Sequence, residues 1–348
     1  MSRTPTIPFA VQMRKEGKKP PGLLVREACR ADNDALIDLE LRSPLVVAGA
    51  EESYDRSPDF FACHRLQGDH RVVLAEMDGR PVGVMAGVIQ SPVIQGRARR
   101  LLYIQRARVH RDYQGRGVAW VLASDLFTWS RQFGAEGPYY LIAPGNERSV
   151  AFGGRAGRRW PVDLRLLAFD VSGIEGARPR KVSMDQLGAV VEFVNSTHTG
   201  EDFFGPLTLG SLRERLSRDS QYGIENLYGV VEGGRLAAVS GLWDKGATTE
   251  EIRVDRATGS ETRSRSTVVV DWGWAPGGES AFARLLRSLG VASRALGRQA
   301  MMICEPSPGM VPDSGLHRHE ISLNLYTPTI DPPAEGSVSG LCADLLTL

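Results

Sequence analysis

The chain has 348 residues, enough for two domains, and 42% of them are hydrophobic, as in a globular protein with room for substantial cores. Its formal net charge of +1 gives no global attraction to nucleic acid, and no apolar run approaches the ~18 residues of a membrane span. Neither nucleic acid nor a membrane is therefore an expected partner. The first 22 residues carry Arg3, Arg14, Lys15, Lys18 and Lys19 without an apolar segment, so 1–22 reads as a flexible leader and not a secretory signal. A cytoplasmic protein is expected. Cys29, Cys63, Cys304 and Cys342 lack paired spacing and read as small buried residues or free thiols. His317, His319 and Glu320 read as an exposed strand segment, and no metal is expected.

Residues 23–29 form the first predicted strand. Asp32 or Asn33 caps a helix whose apolar side includes Leu36, Ile37, Leu39 and Leu41. Residues 43–68 mix Tyr54, Phe60 and Phe61 with acidic residues and read as a second helix or helical loop. A hairpin follows: 71–77, the turn dipeptide Asp78-Gly79, and 81–89. A polar turn with Arg97, Arg99 and Arg100 leads to a strand at 101–109. After a glycine loop, Val118, Val121, Leu122, Leu126 and Trp129 recur at helical spacing up to about Phe133-Gly134. Residues 139–143 form a strand, Asn146 opens a short helix, and 162–171 supplies a closing strand.

The second half repeats this order more weakly. Residues 232–241 parallel 77–86, and Asp185 precedes a helix with Leu187, Val190, Val191 and Val194 on one side. A strand at 266–274, the turn Ala275-Pro276-Gly277-Gly278 and a helix at 279–289 follow, with a late strand at 319–326. The expected architecture is α/β, two mixed sheets flanked by helices: a first domain at 23–171, a Ser/Gly/Pro/Arg-rich join near 172–180, and a degenerate second copy at 180–348. A doubly wound dinucleotide fold is disfavoured, because a hairpin stands directly before the strand that bears the loop.

That loop is Gln114-Gly115-Arg116-Gly117-Val118-Ala119. Small residues let the backbone approach a bulky ligand, and the following helix points its unpaired N–H groups back into the turn. Strand, glycine turn and helix N-terminus together make an anion site suited to phosphate or pyrophosphate. The pattern Gln114-x-x-Gly117-x-Ala119, entered through Val109-His110-Arg111-Asp112-Tyr113, resembles the acyl-CoA loop of the GNAT superfamily of acetyltransferases, although Arg111 stands where a proline is common. The resemblance implies acetyl-CoA as the acyl donor. It places the pyrophosphate on the N–H groups of Gln114, Gly115, Arg116, Gly117, Val118 and Ala119. It lays the pantetheine arm along Ala107, Arg108 and Val109, with an N–H at or near Val109 facing the thioester oxygen, and adds a CoA contact from Asn146. Arg97, Arg99, Arg100 and Arg116 either meet the remaining phosphate charge or form a solvated surface.

The acid and base are less legible. In many family members a tyrosine on the helix after Asn146 protonates the departing thiolate, and here that slot is Gly153. Tyr139 and Tyr140 on the adjacent strand are the substitutes considered, with Tyr113 at the loop; packing is the competing role. His110 titrates in a suitable range for a base, and Glu51, Glu52 and Glu76 are alternative carboxylates on the acceptor side. The second half has Ala275 in place of the Gln, and Pro276 removes a backbone donor, so it is not expected to bind CoA. It is expected to close over the acceptor cleft, with Asp202, Phe203, Phe204, Trp243 and Asp244 as lining candidates. The expected activity is N-acyl transfer to a small-molecule amine. A non-catalytic acyl-CoA sensor and acylation of a protein amine are the alternatives.

Overall fold

The computed structural model describes residues 19–334, 336–338 and 340–345. The leader expected over 1–22 lies outside the described residues up to position 18. In chain order the first half runs β1 (Leu23–Glu27), α1 (Asn33–Leu41), β2 (Leu45–Val47), β3 (Ala50–Asp55), α2 (Ala62–Arg65), β4 (His70–Met77), β5 (Arg80–Gln90), β6 (Val93–Ile94), β7 (Arg97–Ala98), β8 (Leu101–Val109), α3 (Val118–Ser130), β9 (Pro138–Ile142), α4 (Glu147–Ala156), β10 (Arg158–Arg159) and β11 (Leu164–Asp170). The second half runs β12 (Arg180–Lys181), α5 (Leu187–Thr197), α6 (Leu209–Ser217), β13 (Leu227–Glu232), β14 (Arg235–Trp243), β15 (Glu250–Asp255), β16 (Glu261–Ser264), β17 (Ser266–Trp274), α7 (Glu279–Ala295), β18 (Ala300–Glu305) and β19 (Arg318–Thr327).

One mixed sheet runs through both halves in the order β1-β4-β5-β8-β9-β19-β11-β18-β17-β14-β13-β12. Read from either edge, the succession is the same: an edge strand, a hairpin, a bulged strand, then a parallel neighbour. The bulges correspond. The register of β8 against β5 shifts where Arg106 takes φ +53°, and that of β17 against β14 shifts where Asp271 takes φ +46°. Both are left-handed conformations on residues with a Cβ, at one equivalent place in each half.

The closing strands are exchanged. The strand expected at 162–171 is β11, but it pairs with β18 of the second half and not with β9. The strand that completes β9 is β19, through Asn324↔Ile142 and Tyr326↔Tyr140. β11 and β19 lie side by side at the centre, antiparallel. β11 is largely apolar and buried, and β19 is buried over its last four residues, Asn324–Thr327, where it lies beside β9.

Residues 43–68 differ from the helical expectation. β2 and β3 form a hairpin turned at Ala48 (φ +47°) and Gly49 (φ +82°), and only 62–65 are α-helical. β3 then pairs along its length with β15, from Ala50↔Asp255 to Asp55↔Glu250, joining the halves by a second sheet. That partner is far away in sequence, so local periodicity did not reveal it.

Helix α3 lies tight against β5. A Cβ on Gly83 would stand 2.9 Å from Val118 Cγ1, and one on Gly87 3.2 Å from Leu126 Cδ2. These glycines, four apart on one face, let α3 press its Val118, Leu122 and Leu126 onto the sheet and fix where its N-terminus sits.

Candidate functional site: an acyl-donor gap and its acceptor side

β8 and β9 run parallel but pair only at Leu102↔Pro138 and Tyr103↔Tyr139, so they part from residue 104 onward. The gap exposes main chain. His110 N–H donates to Val82 O at 2.9 Å and Val109 stands opposite Gly83. Bonded and non-bonded residues alternate in an antiparallel ladder, so the Val109 N–H turns away from β5 into the gap.

The chain leaves β8 through a short 3₁₀ turn, Arg111–Tyr113, and enters α3 through the glycine loop. Gln114 Nε2 donates to Val109 O at 2.9 Å, tying the loop to the strand end. Gly115 and Gly117 both take left-handed conformations, φ +75° and +85°, which favour glycine. A Cβ on Gly115 would meet no protein atom within 4 Å, so the loop borders open space and not packed core. The backbone bond from Val121 N–H to Gly117 O, 3.2 Å, is where the α3 ladder starts. The N–H groups just ahead of it face out of a helix end with about half a positive charge. This cradle suits a pyrophosphate, and the gap beside it suits an extended arm ending at the Val109 N–H.

Residues 33–157, which contain all of these features, match the model of the acetyltransferase (GNAT) family. That stretch is a GNAT acetyltransferase domain. Among solved structures, Saccharomyces cerevisiae N-myristoyltransferase with bound myristoyl-CoA and inhibitors is similar at TM-score 0.66 and 9% identity, over 95% of this chain and 89% of that one. A GCN5-related N-acetyltransferase from Sphaerobacter thermophilus is similar at 0.54 and 16%, over 90% and 98%. At these identities the likeness is one of fold. No curated protein matches the sequence. Residues 33–157 thus carry an acyl-CoA-dependent acyltransferase domain, with acyl-CoA as the donor.

The second half has the same frame with its openings filled. β17 and β18 pair in parallel from Ser266↔Ala300 to Val269↔Ile303 and then part. Trp274 occupies the position of Val109, because Ala275 N–H donates to Ala237 O as His110 does to Val82. The Trp274 N–H, however, donates to Thr197 Oγ1 at 3.1 Å, and the Trp272 carbonyl faces His198 Nε2 at 3.1 Å. The turn is shorter. Gly278 N–H is used by Ala275 O, and a Cβ on Gly278 would stand 2.6 Å from Ala237 O. Glu279 then opens α7 with negative charge where the first half offers free donors.

The GNAT domain's other expected residues are placed as follows. Asn146 caps α4, its Oδ1 accepting from Ser149 N–H at 3.2 Å. Arg116 stacks over the Tyr113 ring at 5.4 Å. Arg97, Arg99 and Arg100 are not at the loop: they precede β8, and the loop follows its far end, roughly 30 Å away at ~3.3 Å per residue. Arg99 is instead paired with Glu136 at 2.6 Å. His110 lies at the loop edge, with Nδ1 3.4 Å from the Asp112 N–H. Tyr139 is buried against Tyr103 and Phe203, and its hydroxyl donates to Gln90. Tyr140 donates to the Gly153 carbonyl at 3.2 Å and stacks with Tyr326 of β19. A Cβ on Gly153 would come within 2.8 Å of Ile142 Cδ1 and 3.3 Å of both tyrosines. The slot for a helix-borne tyrosine is thus filled by Tyr140 and Tyr326. Burial drives the phenols of Tyr139 and Tyr140 far above their ordinary range, so both stay protonated.

The two halves meet, beside β8, over a buried charged cluster that sequence reading missed. Glu40 of α1 accepts from Arg56 Nε at 2.6 Å and lies 3.6 Å from Arg108 Nη2. Burial pushes its carboxyl up, but the two guanidiniums outweigh burial and hold it below its usual range. Arg56 reaches across the halves to Thr249 Oγ1 at 3.1 Å. Both guanidiniums lie over the Tyr54 ring, at 5.4 and 5.8 Å. Cys63 of α2 meets Thr248 and Thr249 at 3.5 and 3.7 Å. Of the carboxylates considered from sequence, Glu52 is paired with Arg253 of β15, Glu51 lies 3.8 Å from Arg256, and Glu76 is paired with Arg26 at 2.8 Å. Phe203 and Trp243 are core residues, Asp202 accepts from Gln95 N–H at 2.7 Å, and Asp244 is paired with Arg298 at 2.7 Å. A further buried group, His198, Glu201 and Cys342, has donor atoms within 4.8 Å of one another.

Proposed function

We propose that the chain is an N-acyltransferase that moves an acetyl or similarly short acyl group from acyl-CoA to the amine of a small molecule, by direct attack in a ternary complex. The observation that carries this reading is the roof over the acceptor side. The β3–β15 ribbon and the buried Glu40–Arg56–Thr249 contacts span the halves there, which favours a compact acceptor over an extended chain.

In this reading the main chain of Ala107, Arg108 and Val109 guides the pantetheine arm, the loop from Gln114 to Ala119 holds the pyrophosphate, and Asn146 adds a contact at the α4 end. The Val109 N–H donates to the thioester oxygen as charge develops on it during amine attack. Tyr140, whose hydroxyl lies beside Gly153, is the better placed of the two tyrosines to donate to the departing thiolate, and Tyr139 packs the core. His110 shapes the turn. A positioned proton donor is worth ~10²–10⁴-fold, so Tyr140→Phe lowers kcat by at least about tenfold with little change in the KM for acyl-CoA.

The second reading, acylation of a protein amine, is supported by the fold likeness to N-myristoyltransferase. Thiol release from acetyl-CoA, measured against small amines and against peptides with free N-termini, decides between them. Turnover restricted to peptides overturns the small-molecule assignment, and no turnover with any amine overturns acyl transfer to nitrogen.

A further inference from the structure

The two bulges are equivalent in backbone but opposite in the state of their side chains. In the second half Asp271 is fully engaged, with Arg215 Nη1 at 2.7 Å and the Tyr222 hydroxyl at 2.8 Å. In the first half Arg106 faces only the Cys63 thiol, which favours its charge when ionised, and Nε, Nη1 and Nη2 are buried with no oxygen acceptor within hydrogen-bond reach among the described residues. Burial disfavours the charge of Arg106 most and Arg56 adds to that, while Cys63 and Glu40 offset part of it. Lys245 opens the short turn after which Thr248 meets Cys63, and burial and then both arginines disfavour its charge too. No carboxylate is paired with Lys245 among the described residues, whereas Glu40 is shared by Arg56 and Arg108. Beside Arg106, His64 places Nδ1 3.1 Å from Gln67 Oε1, an atom that also accepts from Gln105 Nε2 at 2.8 Å. The His64 proton therefore sits on Nδ1, and Nε2 is left as a bare, buried lone pair without a partner.

A buried guanidinium with no oxygen acceptor and no carboxylate partner is strongly unfavourable. Here it stands on the strand whose main chain borders the donor gap, on the side where the halves meet. We propose that Arg106, with Lys245, forms an anion subsite for the acceptor, which is an amine that also bears a carboxylate or phosphate group. The anion supplies the acceptors that Arg106 lacks and places the amine on the acceptor side of the gap. This inference rests on the small-molecule reading above and adds the chemical class of the substrate.

Matched amine pairs test it: glutamate against 4-aminobutyrate, lysine against 1,5-diaminopentane, and O-phosphoethanolamine against ethanolamine. Each is assayed by thiol release from acetyl-CoA and by calorimetric binding to the full chain. In at least one pair the more anionic member is preferred by about 10²-fold, and the pair that responds tells carboxylate from phosphate. Arg106→Met reduces that preference to a few-fold with the KM for acetyl-CoA unchanged, and Arg106→Lys restores part of it. At pH 6, below the Cys63 value of about 7, where the protonated thiol cannot offset the buried guanidinium, Arg106→Met also raises the urea midpoint of the free protein. If Arg106→Met does not accumulate as folded protein, Lys245→Met replaces it with the same expected loss of preference. Equal binding and turnover within every pair overturns the subsite, as does a preference that survives both variants. Absence of thiol release with every amine overturns the acyl-transfer reading instead, and the calorimetric preference still decides the subsite.

Discussion

The Trp274 backbone N–H donates to the Thr197 hydroxyl at 3.1 Å, and this bond closes in the second half the position that Val109 holds open in the first. With the short turn and the negative charge of Glu279 at the head of α7, it leaves the second frame without the Val109-like N–H for a thioester and with a helix start that repels a pyrophosphate. Calorimetric titration with acetyl-CoA is expected to give one site per chain. A stoichiometry of two would show that the second gap opens in solution.

Gly117 caps α3 at φ +85°. A tryptophan there is strained by ~1–2 kcal/mol in backbone conformation and directs a large ring at the cradle. Gly117→Trp should lose acetyl-CoA binding while its far-UV circular dichroism and cooperative unfolding persist. Tight binding by the variant would place the donor elsewhere.

Glu40 is 1% exposed and neutralises Arg56 and Arg108 together. Glu40→Ala leaves two buried guanidiniums without their carboxylate, a loss of about 3–5 kcal/mol by urea denaturation. A change under about 1 kcal/mol would mean that water or another anion reaches the pair.

The pH dependence of stability has a definite sign. Burial raises the Cys63 thiol, but Arg106 and Arg56 outweigh it and bring it from its ordinary 9.0 down to about 7. Burial and the same arginines lower Lys245 from 10.5 to about 8. Both folded values lie below the unfolded ones, so the stability these groups contribute is present at high pH and lost as pH falls through about 8 and then about 7. The urea midpoint should decline from about pH 10 to about pH 6.5, and Cys63→Ala should flatten the lower part of that decline. A midpoint insensitive to Cys63→Ala throughout this range contradicts the thiol's part.

The exchanged strands bear on any attempt to divide the chain. Ending it at residue 171 keeps β11 but removes β19, leaving the β9 edge unpaired and β11 without either neighbour. An open apolar edge invites aggregation. The 1–171 fragment should show no cooperative thermal transition, and a sharp, reversible one would show that β11 can fold back onto β9.

The parts of the fold that were legible are those encoded locally. Asp78-Gly79 marked the β4–β5 hairpin, the spacing of Val118, Leu122 and Leu126 marked α3, and Gly115 and Gly117 marked the loop. The parts missed depend on partners far off in the chain. β3 is strand because β15 pairs with it, and its run of Ala50, Glu51, Glu52, Ser53, Tyr54 and Asp55 carries little strand signal alone. Nothing local in the sequence marks Arg106. A bulge reorients its side chain, and the bulge shows only in the register against β5. The absence of a tyrosine at Gly153 was legible, but that Tyr140 and Tyr326 fill the slot depends on β19.

The placement of β19 also sets a timetable for synthesis. β9 emerges from the ribosome about 180 residues before the strand that must lie beside it, on the order of ten seconds or more at ~5–20 residues per second. During that interval the donor gap has one wall whose far edge is bare, and β11 has emerged with neither β18 nor β19 available. The first half thus acquires its final shape only when nearly the whole chain has been made, so nascent chains stalled in the second half should remain chaperone clients whatever the quality of their glycine loop.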